Sequence, residues 1–349
     1  MLRAVPDEEK LPRYRAFWRR EPMERPLLGT TIATFPSIRA VSGSGLLQPD
    51  DLDISENLRE LDEEWEAWRE VMGDAIWSAT PVWAFPWHLA IAGCPIERDG
   101  ENLWAHPAIA TWDDLGVLAF DPENPWLKRL LELTAAIVEH ARGRYPVGVG
   151  QLMLGPVDTM MQARGQEALA LGFHDVPERV LELGACCAAL SIAIAEAQID
   201  VTPRYLGGYA GTIRYFWAPG GMVETAEDAS FLTSLEAHRR FIVPVHRRLG
   251  GRFPYTIVHL HSAQLHTVEN LLDLPEVAAI QVTPDFGEDL RPRIPVLRQI
   301  LEAKPLIVHG VMAPEVVDAL RHELPSRGLA LFVRCESPAE AARTLDRLL

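Results

Sequence analysis

The chain has 349 residues, of which 48% are hydrophobic and 23% charged, an ordinary composition for a soluble globular protein. Its 33 Lys and Arg stand against 49 Asp and Glu, and the net charge of −16 disfavours nucleic acid or an anionic membrane surface as a partner. The first residues lack the apolar core of a signal peptide, and the apolar runs are interrupted too often to suggest a membrane span. We therefore expect a cytoplasmic protein.

The amino-terminal part of the chain carries several predicted elements separated by irregular segments. Residue periodicity, with Pro and Gly as breaks, predicts helices at 8–21, 57–71, 125–142, 175–197 and 226–249. Apolar runs predict strands at 27–33, 75–82, 145–153 and 199–205. An aromatic segment at 83–95 and a Gly-rich, aromatic segment at 207–221 are typical of pocket walls and functional loops.

The carboxyl-terminal part alternates regularly between strands and helices. Strands are predicted at 254–259, 278–283, 305–309 and 328–334, and helices at 263–272, 293–303, 314–323 and 338–349. Such alternation indicates a parallel sheet covered by helices. About eight units without a linker or internal repeat favour an α/β fold formed by a single (β/α)8 TIM barrel, with a helical N-terminal extension and one domain over residues 1–349.

Two histidines stand at the end of the apolar run 255–261, which contains the strand predicted at 254–259. Side chains two positions apart on a strand point the same way, so His259 and His261 face one spot at the end of the barrel where active sites gather. Cys335 ends the last predicted strand close to the start of a helix, where the helix dipole favours a thiolate. Two imidazoles and a thiolate with one open position are a typical catalytic zinc site. His309, at another predicted strand end, is the alternative third ligand.

Other polar and aromatic residues are pocket candidates. Gln151 and Asp158 follow the third predicted strand, Trp87 lies in the aromatic segment, and Trp217 lies in the Gly-rich loop. Asp228 is a further catalytic candidate, although an acidic residue opening a predicted helix is also explained by the helix dipole alone. The remaining cysteines, Cys94, Cys186 and Cys187, form no CxxC pair, and Cys186 and Cys187 in a predicted helix are expected to be small core residues.

Several short segments resemble the uroporphyrinogen decarboxylase superfamily in their order and spacing. They are Glu24-Arg25-Pro26, 90–95 (Ala-Ile-Ala-Gly-Cys-Pro), 155–158 (Gly-Pro-Val-Asp) with Arg164-Gly165, 173–178 (Phe-His-Asp-Val-Pro-Glu), 226–230 (Ala-Glu-Asp-Ala-Ser), 259–262 (His-Leu-His-Ser), and the terminal strand with its helix. This resemblance covers nearly the whole chain and implies a (β/α)8 barrel. The superfamily includes both decarboxylases and zinc-dependent corrinoid:coenzyme M methyltransferases.

The resemblance is nearer to the methyltransferase branch. The decarboxylases carry an arginine motif after the first strand that holds substrate carboxylates, whereas 27–36 contains no arginine here. In the methyltransferases a His-x-Cys and a later Cys bind zinc. That implies a zinc site at His259, His261 and Cys335, with His261 in place of the first Cys, and transfer of a methyl group between a corrinoid and a zinc-bound thiol or similar acceptor.

The cofactor and the class of protein leave alternatives open. The chain has no Asp-x-His-x-x-Gly corrinoid-binding signature, so a corrinoid would arrive on a partner protein. Three alternatives remain: a decarboxylase-like lyase, a metal hydrolase of the amidohydrolase type, and a barrel that binds a small molecule or corrinoid without catalysis. In the hydrolases the His-x-His pair comes at the first strand, which argues against that class here.

Overall fold

The fold is built on a parallel β-sheet of six strands. The structure, a computed structural model, describes residues 5–32, 38–150, 155–211, 215–285 and 288–349. Its strands are β1 (Leu27–Ile32), β2 (Gly45–Leu46), β3 (Ile96–Asp99), β4 (Asn102–Ala105), β5 (Gly148–Val149), β6 (Tyr209–Gly211), β7 (Trp217–Ala218), β8 (Met222–Ala226), β9 (Tyr255–His261), β10 (Ala279–Thr283), β11 (Leu306–Gly310) and β12 (Leu329–Cys335). The main sheet has the order β1-β12-β11-β10-β9-β8, and every neighbouring pair in it is parallel.

Helices connect and cover these strands. They are α1 (Asp7–Arg19), α2 (Ile54–Trp68), α3 (Trp87–Ile91), α4 (Pro125–Ala141), α5 (Pro156–Arg164), α6 (Gln166–Asp175), α7 (Pro177–Val201), α8 (Leu235–Ala237), α9 (Val243–Arg252), α10 (Glu269–Leu272), α11 (Ile294–Ala303), α12 (Pro314–Glu323) and α13 (Pro338–Leu348). Several begin where the sequence signals a start: Ser337 caps α13 by accepting from the Glu340 N–H, and Asn124 caps α4. The predicted α/β fold with a parallel sheet is confirmed.

The predicted closure into eight strands goes beyond what the main sheet shows. In the described ranges the twelve strands form three separate sheets, with β2-β3-β4 and β5-β6-β7 beside the six-stranded one. Ala79, in the strand predicted at 75–82, makes a single parallel bridge to Val147 and belongs to none of the named strands. A closed eight-stranded barrel therefore stays a prediction.

Two predictions in the middle of the chain are wrong. Helix α7 continues to Val201 and so occupies the first part of the strand predicted at 199–205, and residues 202–205 form no strand. The helix predicted at 226–249 is replaced by the end of β8, a 3-10 turn at Asp228–Leu232 and short helical segments. A short apolar run does not distinguish a strand from a buried helix, and β8 carries Glu224 and Thr225, which break the apolar pattern.

Helix α1 covers the amino-terminal end of the sheet. Its Tyr14 and Phe17 are buried, and the Trp18 ring lies 4.9 Å from the ring of Tyr255, the first residue of β9. Arg20, just after the helix, donates to the carbonyl oxygens of Leu301 and Ala303 ahead of β11. Since α1 packs at the strand beginnings, the opposite end of the sheet is the one left for a site.

Helix α7 is the one described helix long and apolar enough to cross a membrane by length and composition. Half of its apolar window is buried inside the protein. Val180, Leu183, Cys187 and Ile194 are fully buried in the core that lies between α7 and its neighbours α5 and α9. The helix is therefore a core helix of this fold, and its stripe matches the periodicity that predicted it.

Candidate metal centre

Three side chains with ligand atoms converge at the carboxyl-terminal ends of β8 and β9. Asp228 Oδ1 lies 3.9 Å from His259 Nε2 and 3.9 Å from His261 Nε2. His261 is the last residue of β9, and His259 lies two residues before it on the same face of the strand. The centroids of their rings are 4.9 Å apart, and the ring planes meet at 74°. Asp228 lies two residues after the end of β8 at Ala226, and the parallel pairing of Ala226 with His259 brings the three side chains together.

The ring nitrogen of His259 that does not face Asp228 is hydrogen-bonded to a side-chain amide. His259 Nδ1 is hydrogen-bonded to Oε1 of Gln281, the residue paired with it on β10. Gln281 Nε2 in turn donates to Thr283 Oγ1 at 2.9 Å, which orients the amide so that its oxygen faces the imidazole. His259 therefore carries its proton on Nδ1, and the lone pair of Nε2 faces Asp228.

The corresponding ring nitrogen of His261 is hydrogen-bonded to a carboxylate. His261 Nδ1 donates to Asp285 Oδ1 at 3.0 Å, and Asp285 Oδ2 accepts from Ser262 Oγ at 2.7 Å and from the Ala263 N–H at 2.9 Å. Burial raises the pKa of Asp285, but the hydrogen bonds from Ser262, Ala263 and His261 outweigh burial and lower it below its usual range. The ionised carboxylate fixes the orientation of the ring and, for the neutral imidazole, favours the tautomer with its proton on Nδ1.

This arrangement fits a divalent metal ion. Ligand atoms that share a zinc ion at about 2.0–2.2 Å stand roughly 3.3–3.6 Å apart, slightly closer than the 3.9 Å seen here. Both histidines have the outer hydrogen-bond partner that metal-bound histidines usually have. Asp228 and His261 are partly exposed, so an additional ligand has access from the open side.

Cys335 does not join this group, which corrects the predicted ligand set. Its Sγ lies 3.8 Å from Thr344 Oγ1 of α13, so the thiol faces the helix layer outside the sheet. Burial raises the pKa of the Cys335 thiol to about 11, which opposes the thiolate form that a metal needs. Among the described residues, two groups of three potential ligands occur, and Cys335 belongs to neither. Asp228 takes the third place.

The remaining polar candidates lie around the site in different roles. His309 Nε2 lies 2.7 Å from Thr31 Oγ1 of β1, and His309 also belongs to neither described ligand group. Asp158 is fully buried and accepts from the Ala229 N–H at 3.0 Å, so it holds the turn that carries Asp228. Burial, and then the charge of Asp228, raises the pKa of Asp158 to about 8. Gln151 lies outside the described residues.

The two tryptophans predicted as pocket residues are core residues instead. Trp87 is 1% exposed, donates from Nε1 to the Pro81 carbonyl oxygen and packs on Phe85 at 4.7 Å. Trp217 is fully buried, and its carbonyl oxygen accepts from Trp18 Nε1 of α1. It therefore lies toward the amino-terminal end of the sheet, away from the histidine pair. Aromatic character alone does not separate a pocket wall from a core.

A second group of two histidines and an acid lies directly behind the first. Glu227, His238 and His246 are all fully buried, and the carboxylate of Glu227 is hydrogen-bonded to Nε2 of both histidines. A π-helical segment, His238–Ile242, joins α8 to α9 between the two rings. Burial raises the pKa of Glu227, but the hydrogen bonds from His238 and His246 outweigh burial and hold it far below its usual range.

Four residues that sequence reasoning assigned no role shape the site: Glu227, Gln264, Gln281 and Asp285. Asp285 was within reach, because the segment 283–285 (Thr-Pro-Asp) closes a predicted strand next to that of the histidines. Gln264 and Gln281 give no local signal, since an amide in a helix or strand is ordinary. Their role depends on which strands become neighbours.

Comparison with known proteins gives a structural match. No family model matches the chain, and no curated protein matches its sequence. Among solved structures, a methyltransferase from Methanosarcina mazei superposes with a TM-score of 0.62 at 14% sequence identity, over 96% of this chain and 96% of that one. This chain has the fold of that methyltransferase. At such low identity the match establishes the fold, and the chemistry of the site must be argued from its own residues.

Proposed function

We propose that this protein is a metal-dependent methyltransferase of the uroporphyrinogen decarboxylase superfamily, on its methyltransferase branch. The observation that carries the proposal is the convergence of His259 Nε2 and His261 Nε2 on Asp228 Oδ1 at the strand ends. The fold shared with a methyltransferase over nearly the whole chain supports it. The sequence resemblance, whose segments include these three residues, leads to the same class.

Each residue of the centre has a distinct part in this proposal. His259, His261 and Asp228 would hold zinc, with Gln281 and Asp285 orienting the two imidazoles. A zinc ion held there supplies a Lewis acid that favours the thiolate form of an acceptor thiol. The Asp228 carboxylate offsets less positive charge than two thiolates would, so the centre retains more positive charge for an anionic ligand.

The methyl donor is proposed to be a methylated corrinoid carried by a partner protein. The chain has no corrinoid-binding signature of its own, and the centre lies at an end of the sheet that α1 leaves open. Phe231, in the turn after Asp228, and Val311, just after β11, are large apolar residues exposed near this end. Exposed apolar side chains beside an open site suit contact with another molecule.

One assay tests this function directly. Purified protein is incubated with methylcobalamin and a panel of thiols, with and without zinc, and the methyl–cobalt absorbance is followed. We expect decay that requires zinc, is lost in His259→Ala and is retained in His322→Ala, which removes an exposed histidine of α12. Decay of the methyl–cobalt absorbance at the same rate without zinc, or decay that persists in His259→Ala, would overturn the proposal.

A metal hydrolase is the second candidate, and the donor set favours it specifically. Two imidazoles and one carboxylate are also the ligands of zinc hydrolases that activate water. Replacement of the expected thiolate ligand by Asp228 moves the centre toward this chemistry. Zinc-dependent hydrolysis of ester or amide substrates, without any methyl transfer, would select the hydrolase.

A further inference from the structure

Gln264 lies between the two chain segments that carry the candidate ligands. Asp228 opens the 3-10 turn Asp228–Leu232 after β8, and His261 is followed by the 3-10 turn Ser262–Thr267 after β9. The two turns pack against each other, and the Gln264 side chain, 1% exposed, is buried between them.

The amide of Gln264 joins these turns by hydrogen bonds at both of its ends. Its Oε1 accepts from the backbone N–H of His261 at 2.5 Å. Its Nε2 donates to the backbone carbonyl oxygen of Glu227 at 2.6 Å and to Ser230 Oγ at 3.1 Å. One side chain thus connects the backbone of one ligand, His261, to the residue directly before another ligand, Asp228.

The partners of Gln264 are themselves fixed in the interior. Ser230 Oγ donates to Glu227 Oε1 at 2.9 Å, and Glu227 is held by His238 and His246. On the other side of the turn, Asp158 accepts from the Ala229 N–H. Because these groups are buried and mutually bonded, a displacement of the Gln264 amide moves one ligand segment relative to the other.

We propose that Gln264 is a positioning residue that sets the separation of Asp228 from His261 and thereby the affinity and coordination geometry of the metal centre. This inference rests on the proposed function, since it assumes that the centre binds a metal. The hydrogen bonds described for Gln264 go to the backbone of His261 and Glu227 and to Ser230 Oγ, so it acts through the two segments and not as a ligand. Its loss is expected to act as the loss of an outer-shell partner does, which typically weakens metal binding about 10–100-fold.

The test compares Gln264→Met with wild type. Methionine has a similar length and volume but offers neither the acceptor nor the donors of the amide. Zinc affinity is measured by competition with a chromophoric chelator, and the visible absorption of the cobalt(II)-loaded protein reports the coordination geometry. We expect zinc binding weakened about 10–100-fold and a changed cobalt spectrum. Affinity within about twofold of wild type, with an unchanged spectrum, would overturn the inference.

A matched control separates positioning from general loss of stability. Asn57 is another buried amide, 3% exposed, whose Oδ1 accepts from the Val82 N–H at 3.4 Å. Both residues are far in sequence from the candidate ligands. Asn57→Leu should lower the unfolding midpoint comparably and leave zinc affinity and the cobalt spectrum unchanged. An equal change of affinity in this control would show that stability alone is measured, against the proposal.

Two further outcomes keep the inference distinct from the proposed function. If Gln264→Met does not fold, Gln264→Glu is measured instead, since it retains the acceptor for His261 but loses the donor to Glu227; unchanged zinc affinity in it contradicts the inference. If wild type binds no zinc or cobalt, the metal-dependent function fails and the inference with it. If wild type binds both and the Gln264 variants bind equally well, the inference alone is wrong.

Discussion

Two groups of one acid and two histidines occur in this chain, and their acids, Glu227 and Asp228, are adjacent in sequence. The groups differ in the hydrogen bonding of their imidazole nitrogens. Glu227 meets His238 and His246 in the interior, whereas Asp228 meets His259 and His261 at the open end of the sheet. In the buried group the carboxylate lies at hydrogen-bonding distance from the imidazole nitrogens. In the open group the corresponding distances are 3.9 Å, which leaves room for an ion.

The hydrogen-bond partners of Nδ1 in His238, His259 and His261 follow this difference. Asn270 Nδ2 donates to His238 Nδ1 at 3.0 Å, so the proton of His238 is on Nε2 and is donated to Glu227. In the open group the order is reversed, because Gln281 and Asp285 accept from Nδ1 and the Nε2 atoms lie on the side of Asp228. The donor behind His238 suits a hydrogen-bonded structural group, whereas the acceptors behind His259 and His261 are the kind of partner that metal-bound histidines usually have.

The largest expected effect comes from removing each acid in turn. Glu227→Ala leaves two buried imidazoles without their acceptor and should cost about 3–5 kcal/mol of unfolding free energy. Asp228→Ala removes a partly exposed carboxylate, so it should cost less than about 1 kcal/mol and weaken zinc binding by about 100-fold or more. Urea denaturation and chelator competition measure the two quantities. A large loss of stability in Asp228→Ala with unchanged zinc affinity, or weakened zinc binding in Glu227→Ala without loss of stability, would contradict these roles.

The next effect sharpens the comparison of outer partners. Asp285→Ala removes the acceptor behind His261 and should weaken zinc binding about 10–100-fold. Asn270→Ala removes the donor behind His238 and should cost about 1–2 kcal/mol of stability without changing zinc affinity. Isothermal titration and thermal unfolding of both variants give the answer. Equal zinc affinities for Asp285→Ala and wild type would exclude His261 as a ligand oriented in this way.

The buried group should also appear in the acid stability of the metal-free protein. The pKa of Glu227 is lowered by folding, so its stabilisation is complete above the unfolded value of about 4.3 and is lost as the pH falls below it. Glu227→Gln cannot take up that proton, so its unfolding free energy should fall less steeply below pH about 4, by at most about 1.4 kcal/mol per pH unit. Parallel acid limbs for the variant and wild type would contradict the assigned ionisation.

The smallest expected effect concerns Cys335. Its thiol faces Thr344 on α13 and not the open group, so Cys335→Ala should leave zinc affinity within about twofold of wild type. The lost packing of one small buried side chain should cost about 1 kcal/mol. Chelator competition on the variant is sufficient. A loss of zinc binding comparable with that of Asp228→Ala would restore the thiol to the ligand set.

Local patterns in the sequence account for much of the fold. The alternation from β9 to α13 was predictable because its strands are short apolar runs, its longer helices have an apolar stripe, and Ser337 marks the start of α13. Strand β8 was not, because Glu224 and Thr225 interrupt its apolar run and both are buried only through tertiary contacts. Missing β8 placed Asp228 at a helix start, although it follows a strand end.

The sequence by itself determined that His259 and His261 share one face, because a strand alternates with a period of two. It could not determine that Cys335 faces outward. Strand β12 is apolar on both faces, as strands of covered parallel sheets are, so no alternation marks which residues point inward. The third member of the centre and its outer partners were decided only by the tertiary structure. Asp228, Gln281 and Asp285 reach the histidines across strand pairings, and those depend on the order of strands in the sheet.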